Sequence, residues 1–291
     1  MLNFVISTSV RRNGCPTGVT NAGYKKIYMS VLTVTIVQTH LHWEDKTTNL
    51  QLLEEKIKSV KGTTQLVVLP EMFSTAFSMR PVAMAEPMSG TTINWMKRVA
   101  AENKLILTGS VIIEEEGNYF NRLVWMLPSG QYGVYDKRHL FAFAGEDAHY
   151  TAGTKRLIAS VNGWKINLQV CYDLRFPVWA RQTPADEPEY DLLVYVANWP
   201  ERRNHAWKTL LQARAIENQC YVVGVNRVGN DGNAIYHSGD SCIIDPMGEI
   251  VFQQAHEEVV HTLTLQKESL TTLRSKLPFL KDADDFLIQL Y

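Results

Sequence analysis

The stretch Lys165-Ile166-Asn167-Leu168-Gln169-Val170-Cys171-Tyr172-Asp173-Leu174-Arg175-Phe176-Pro177 decides how this chain is read. Its first six residues alternate polar and apolar, the pattern of a half-buried strand. From Tyr172 the alternation stops, and residues 176–181 can begin a helix. Cys171 is thereby predicted on a sharp strand-to-helix turn, lifted out of its sheet. The backbone N–H groups that follow point toward whatever the sulfur attacks, and a helix N-terminus there favours the thiolate, the nucleophilic form. A plain packing role is the alternative, since free cysteine is among the most buried residue types.

Outward from Cys171, two further strand ends carry reactive side chains. Gln65-Leu66-Val67-Val68-Leu69 suits a strand buried on both faces and ends at Pro70-Glu71-Met72-Phe73. A strand-like stretch over residues 132–135 is followed at once by Asp136-Lys137-Arg138-His139. Residues just past strand ends can meet in the crevice where open α/β sheets build their sites. Singly, Glu71 reads as a solvated carboxylate and Lys137 as a surface cation; the joint placement of the three carries the catalytic reading. A carboxylate near a thiol can take its proton. An ammonium, with the backbone N–H of Tyr172, can stabilise the oxyanion formed when a carbonyl is attacked, and one such donor contributes about 3–4 kcal/mol. Glu, Lys and Cys together describe acyl transfer through a thioester, completed by water.

These stretches resemble the nitrilase (carbon–nitrogen hydrolase) superfamily. The resemblance rests on Leu69-Pro70-Glu71-Met72-Phe73, Tyr135-Asp136-Lys137-Arg138-His139-Leu140-Phe141 and Val170-Cys171-Tyr172-Asp173-Leu174-Arg175-Phe176-Pro177, in the family's order. Ala197-Asn198-Trp199-Pro200, Gln212-Ala213-Arg214-Ala215-Ile216-Glu217-Asn218, Asn226-Arg227-Val228-Gly229 and Gly239-Asp240-Ser241 extend it over residues 32–265. It implies Glu71 as general base, Lys137 as oxyanion stabiliser and Cys171 as nucleophile, without metal or cofactor. The family's second glutamate falls on Glu146, in Gly145-Glu146-Asp147-Ala148-His149-Tyr150-Thr151-Ala152-Gly153, with Asp147 as adjacent competitor.

Cys171-Tyr172-Asp173-Leu174-Arg175-Phe176-Pro177 is most similar to omega-amidases, which hydrolyse the terminal amide of 2-oxoglutaramate or 2-oxosuccinamate. N-carbamoyl compounds, deaminated glutathione and nitriles are the other substrates within the superfamily. A carboxylate at the far end of such a substrate calls for a guanidinium. Arg175, Arg202 and Arg203 are the candidates by position, with Phe73, Tyr172 and Trp199 as pocket walls; a surface charge or a core aromatic is the plain alternative for each. The family implies at least a homodimer.

The remaining pattern alternates strands and helices. Strands are predicted over residues 32–38, 105–113, 191–197, 221–226, 234–244, 249–252 and 259–265, with a hairpin of 119–127 and 131–135 around Pro128-Ser129-Gly130. Helices are predicted over 45–60 and 91–102, and from a cap at Asn204 to about Gln219, with Trp207, Leu210, Leu211 and Ile216 on one side. This order suggests two sheets face to face with helices outside, the four-layer α-β-β-α sandwich that the resemblance implies. Residues 29–291 read as one such domain, with a tail over about 266–291 that docks on the body or on a partner. Residues 1–28 read as an extension, disordered or from a mis-assigned start.

Composition narrows the class. With 29 Lys and Arg against 30 Asp and Glu and no charged block, the chain lacks the electrostatics for nucleic acid or an anionic membrane. No apolar run is long enough to span a bilayer. Cys15, Cys171, Cys220 and Cys242 form no CxxC, which suits a reducing, cytoplasmic setting, and Cys220 and Cys242 read as packing residues. Two readings from other classes stand beside the thiol enzyme. His40-Leu41-His42 after the first strand is how many metal-dependent amidohydrolases hold zinc, although no HExxH or Cys/His cluster accompanies it. A non-catalytic binding protein on the same fold is the other.

Overall fold

The computed structural model describes residues 30–183 and 187–289; the segment read as an N-terminal extension, Cys15 included, lies outside them. In chain order the elements are β1 (Val31–Gln38), α1 (Lys46–Lys58), β2 (Leu66–Val68), α2 (Pro81–Met84), α3 (Thr91–Asn103), β3 (Ile106–Glu115), β4 (Asn118–Met126) and β5 (Tyr132–Asp136). There follow β6 (Ile158–Val161), β7 (Trp164–Val170), α4 (Pro177–Ala180), β8 (Leu192–Val196), α5 (Asn204–Asn218), β9 (Tyr221–Val225), β10 (Val228–Asn230), β11 (Tyr236–Ile244), β12 (Ile250–Ala255), β13 (Val259–Gln266) and α6 (Lys267–Lys276).

Two mixed sheets form, one in the order β13-β1-β2-β3-β4-β5 and the other β10-β11-β9-β8-β7-β6, with β12 paired to β11. Strand alternation sets the layers. Leu32, Val34, Ile36, Leu66 and Val68 join Trp164, Ile166, Leu168 and Val170 in a core between the sheets. Their neighbours Val37, Val67 and Leu69 face the other way, against Leu50, Leu53 and Ile57 of α1 and Ile93, Met96 and Val99 of α3. Asp45 caps α1 by accepting from the Thr48 N–H at 3.1 Å. On the second sheet, Trp207, Leu211 and Ala215 of α5 cover the outer face. Gly224 permits the approach, because a Cβ there would sit 2.6 Å from Leu211 Cδ1. The α-β-β-α order of layers is therefore present.

Parallel pairing fixes where loops emerge. β1, β2 and β3 run parallel, as do β7, β8 and β9. β5 is antiparallel to β4 and β4 to β3, so β5 ends at the same edge as β2. The segments after β2, β5, β7 and β8 thus gather at one end of the sandwich.

Several local expectations differ. The helix predicted over residues 176–181 is present as the single-turn α4, and a five-residue 3₁₀ turn, Cys171–Arg175, separates it from β7. Asn204 is not the cap of α5; it is the first helical residue, and its amide reaches Asp240 at 3.3 Å. Ile216 is 55% exposed, because it falls on the outer side of α5. β6 went unpredicted although its turn carries a clear signal: Asn162 and Gly163 take φ of 49° and 79°, the two positive values that an Asn-Gly hairpin turn needs. The tail docks in part. Arg274 of α6 binds Asp191, Tyr190 O and Gln219 O, while Phe279 and Leu287 remain exposed.

Candidate active site

Glu71, Lys137 and Glu146 form one buried cluster. Lys137 Nζ donates to Glu71 Oε1 at 2.9 Å and to Glu146 Oε2 at 2.8 Å, and all three side chains are fully buried. Each carboxylate is held by further donors. Asn121, on β4, bridges the two, 2.8 Å from Glu71 Oε1 and 3.1 Å from Glu146 Oε1. The backbone N–H of Asn198, just past β8, reaches Glu71 Oε2 at 2.8 Å, and its amide donates to Glu71 O at 2.6 Å. Phe141 N–H donates to Glu146 Oε2 at 2.6 Å. The loop carrying Glu146 is closed by Gly153, which donates to Lys137 O. No other residue fits there, because a Cβ would lie 2.1 Å from Asp136 O.

Cys171 follows β7 directly and takes a φ of 44°, a left-handed value that places it on a sharp turn. Asp173 ties this turn down. Its Oδ2 accepts from Val170 N–H and the Tyr135 hydroxyl, its Oδ1 from His139. From the opposite side, Arg214 of α5 donates to Leu174 O at 2.6 Å.

Burial dominates the electrostatics. It pushes the Cys171 thiol well above the ordinary cysteine range; Glu71 and Glu146 push the same way and Lys137 opposes them. The helix N-terminus expected to favour a thiolate is only a short 3₁₀ turn, and burial together with Glu71 opposes ionisation of the sulfur. Burial alone would lower Lys137, but Glu146 and Glu71 outweigh it and hold the ammonium above its usual range. Burial raises Glu146, against the pull of Lys137.

Cys171 opens onto a cavity of about 260 Å³. Tyr172 and Asn198 line it beside Cys171, and Phe77, Phe141 and Trp199 are among its aromatic lining. Arg175, Arg202 and Arg203 also line it, and among the described residues none of the three is ion-paired. The guanidiniums of Arg175 and Arg203 lie 5.0 Å from the ring centres of Trp199 and Phe141.

A family model described as carbon-nitrogen hydrolase matches residues 33–275. The chain is 42% identical over 259 residues to the omega-amidase YafV of Escherichia coli (strain K12), covering 89% of this chain and 99% of that protein. The chain belongs to the carbon–nitrogen hydrolase family. A 2-oxoglutaramate amidase of Bacillus subtilis (strain 168) is 28% identical over 253 residues, 86% of this chain and 96% of that one. Among solved structures, the carbon–nitrogen hydrolase superfamily protein XC1258 of Xanthomonas campestris superposes with a TM-score of 0.88. It is 42% identical, and the match covers 90% of this chain and all of that one. The protein is therefore an enzyme of a family that acts on carbon–nitrogen bonds.

Within this carbon–nitrogen hydrolase, Glu71, Lys137, Cys171 and Glu146 converge, while Asp147 is exposed. Tyr172, Arg175, Trp199, Arg202 and Arg203 reach the cavity. Phe73 does not. It is fully buried in the outer core against Trp95, because its backbone N–H is tied to Ser110 O and its ring turns under β3. Phe77, four residues on, takes the wall position and lies 5.2 Å from Lys137 Nζ. His40 packs on Gly229 and meets His42 edge-on at 5.1 Å; neither lines the cavity. Among the described residues no group of three or more His, Cys, Asp or Glu is placed to hold a metal, and no helix is long and apolar enough to cross a membrane. Asn121 and Asn198 are site residues that the sequence reading does not single out. Asn198 belongs to Ala197-Asn198-Trp199-Pro200, whereas Asn121 sits within β4 with no local signal.

Proposed function

We propose that the protein is an amidase of the omega-amidase kind, cleaving the terminal amide of a small carboxylated substrate such as 2-oxoglutaramate. The observation that carries this reading is the set of unpaired guanidiniums, Arg175, Arg202 and Arg203, lining the same cavity as the Cys171 thiol. Three guanidiniums without an ion pair among the described residues outnumber the one carboxylate of the cavity lining, Asp231, and fit an anionic ligand. The names of the relatives at 42% and 28% identity support the same substrate class.

The chemistry starts from a neutral thiol. Glu71 accepts the thiol proton as sulfur attacks the amide carbon, so no net charge is created in a buried site. The oxyanion is met by Lys137 Nζ and the backbone N–H of Tyr172. Glu71 then returns its proton to the departing nitrogen, the C–N bond breaks, and ammonia leaves a thioester on Cys171. Glu71 next takes a proton from water as it attacks the thioester and gives that proton to the departing sulfur; the C–S bond breaks, the acid product leaves and the thiol is restored. Glu146 and Asn121 keep Lys137 and Glu71 oriented throughout.

The test is ammonia release from 2-oxoglutaramate, an N-carbamoyl amino acid, deaminated glutathione and a nitrile. The oxo-acid amide should give the highest kcat/KM. Faster turnover of any of the others would replace the substrate assignment, and activity in Cys171→Ala would remove the mechanism.

A further inference from the structure

The short segment Lys137-Arg138-His139 belongs to two hydrogen-bond networks at once. Lys137 turns into the acidic network of Glu71 and Glu146. Two residues on, His139 turns toward the nucleophile's turn. Its backbone N–H donates to Asp173 Oδ1 at 2.9 Å, and ring Nδ1 donates to the same oxygen at 2.8 Å. The ring is itself fixed, stacked on Phe176 at 3.8 Å with an angle of 8°. Asp173 is fully buried, and its other oxygen holds the N–H of Val170 at 3.0 Å, one residue before Cys171.

We propose that His139 is a positioning residue for the nucleophile: by locking Asp173, it holds the Cys171 turn in register with Glu71 and Lys137. This rests on the reading of Cys171 as nucleophile. A left-handed residue with a Cβ persists only where its surroundings over-determine it. Asp173 supplies that constraint at Val170, and His139 in turn fixes the Asp173 rotamer. The same backbone segment carries Lys137, so the sulfur's placement against base and oxyanion donor is set by two residues of chain. A displacement of about 1 Å between reacting groups costs on the order of 100-fold in rate.

The experiment measures kcat, KM for 2-oxoglutaramate and the rate of Cys171 alkylation by iodoacetamide in His139→Phe, His139→Asn and Asp173→Asn. Phenylalanine keeps the stack on Phe176 and the backbone N–H bond to Asp173 and loses only the ring's bond; asparagine places an N–H donor where Nδ1 stood. Expected is a kcat lowered by about 100-fold in His139→Phe with KM little changed, and recovery of most of that loss in His139→Asn. Wild-type kcat in His139→Phe, or an equal loss in both His139 variants, overturns the inference. If His139→Phe fails to fold, Asp173→Asn weakens the same bond from its other side; a lowered kcat there supports the inference and an unchanged one overturns it. Activity in Cys171→Ala would instead overturn the nucleophile assignment, a distinct outcome.

Discussion

Lys137 and Glu71 form a fully buried ion pair at 2.9 Å, although their strands, β5 and β2, lie three positions apart in the sheet. Three strand spacings span roughly 14 Å, so both side chains must turn inward over the ends of β3 and β4 to meet. Such pairs contribute little net stability, since desolvation offsets attraction. The arrangement makes sense as chemistry, a cation kept beside a base.

Removing the cation exposes that cost. Lys137→Met leaves Glu71 and Glu146 buried without a counter-charge, and breaking a buried pair this way costs about 3–5 kcal/mol. Urea unfolding should show a lower midpoint at unchanged slope, together with loss of turnover. An unaltered midpoint would mean that neither carboxyl stays charged once the lysine is gone.

Glu71→Gln keeps the shape and the hydrogen bond from Asn198 N–H but removes the base. Turnover should fall by about 10²–10⁴-fold, the range for loss of general acid–base catalysis. Cys171→Ala should abolish it with the fold intact by circular dichroism. A Glu71→Gln enzyme within a few-fold of wild type would require a different proton acceptor.

Arg203 stacks on Phe141 and has no acidic partner among the described residues. Burial, and then the charge of Arg202, hold its guanidinium below the usual arginine range, a strain that an anionic ligand relieves. Arg203→Met should lower kcat/KM for 2-oxoglutaramate roughly 10- to 100-fold, the equivalent of one charge-assisted hydrogen bond. Turnover of a small neutral amide should be unaffected. Equal losses on both substrates would place Arg203 outside carboxylate recognition.

The fold was legible where periodicity and pairing coincide. β7 alternates over its whole length and α1 carries both a cap and a regular apolar face, and both were read from sequence. The convergence of Glu71, Lys137 and Cys171 was also legible, since each stands at a strand end. What escaped depends on three-dimensional neighbours. Phe73 and Phe77 are both aromatic and close to the turn, and only the backbone tie of Phe73 to Ser110 sends the first into the core and leaves the wall to the second. The direction in which its surroundings push the Cys171 thiol is hidden for a similar reason: a local helix N-terminus is visible in sequence, whereas burial beside two carboxylates is not.

Alkali should destabilise the protein through its buried thiols. Burial raises Cys242 from about 9 to about 12. The unfolded thiol ionises first, so stability is full below about pH 9 and falls as pH rises toward 12, by up to about 1.4 kcal/mol per pH unit. Melting temperatures between pH 8.5 and roughly 10.5 should therefore drop less steeply in Cys242→Val than in wild type. Parallel curves would show that the thiol is ionised in the folded state.

Acid acts through a different residue with the opposite sign. His237 lies on the cavity wall, almost wholly buried, with Nδ1 against Ile235 O at 2.9 Å. Burial first, and then the charge of Arg227, lower it from 6.5 to about 4. Below about pH 6.5 the unfolded chain takes up a proton that the folded chain refuses. Stability present at neutral pH is therefore lost as pH falls toward 4, amounting to about 3 kcal/mol in full. His237→Asn retains a donor for Ile235 O and has nothing to titrate, so its unfolding free energy should change less between pH 7 and 4 than that of wild type. A ring proton titrating near 6.5 by NMR in the folded protein would show that water reaches the imidazole, and the acid-dependent loss would then have to come from other groups.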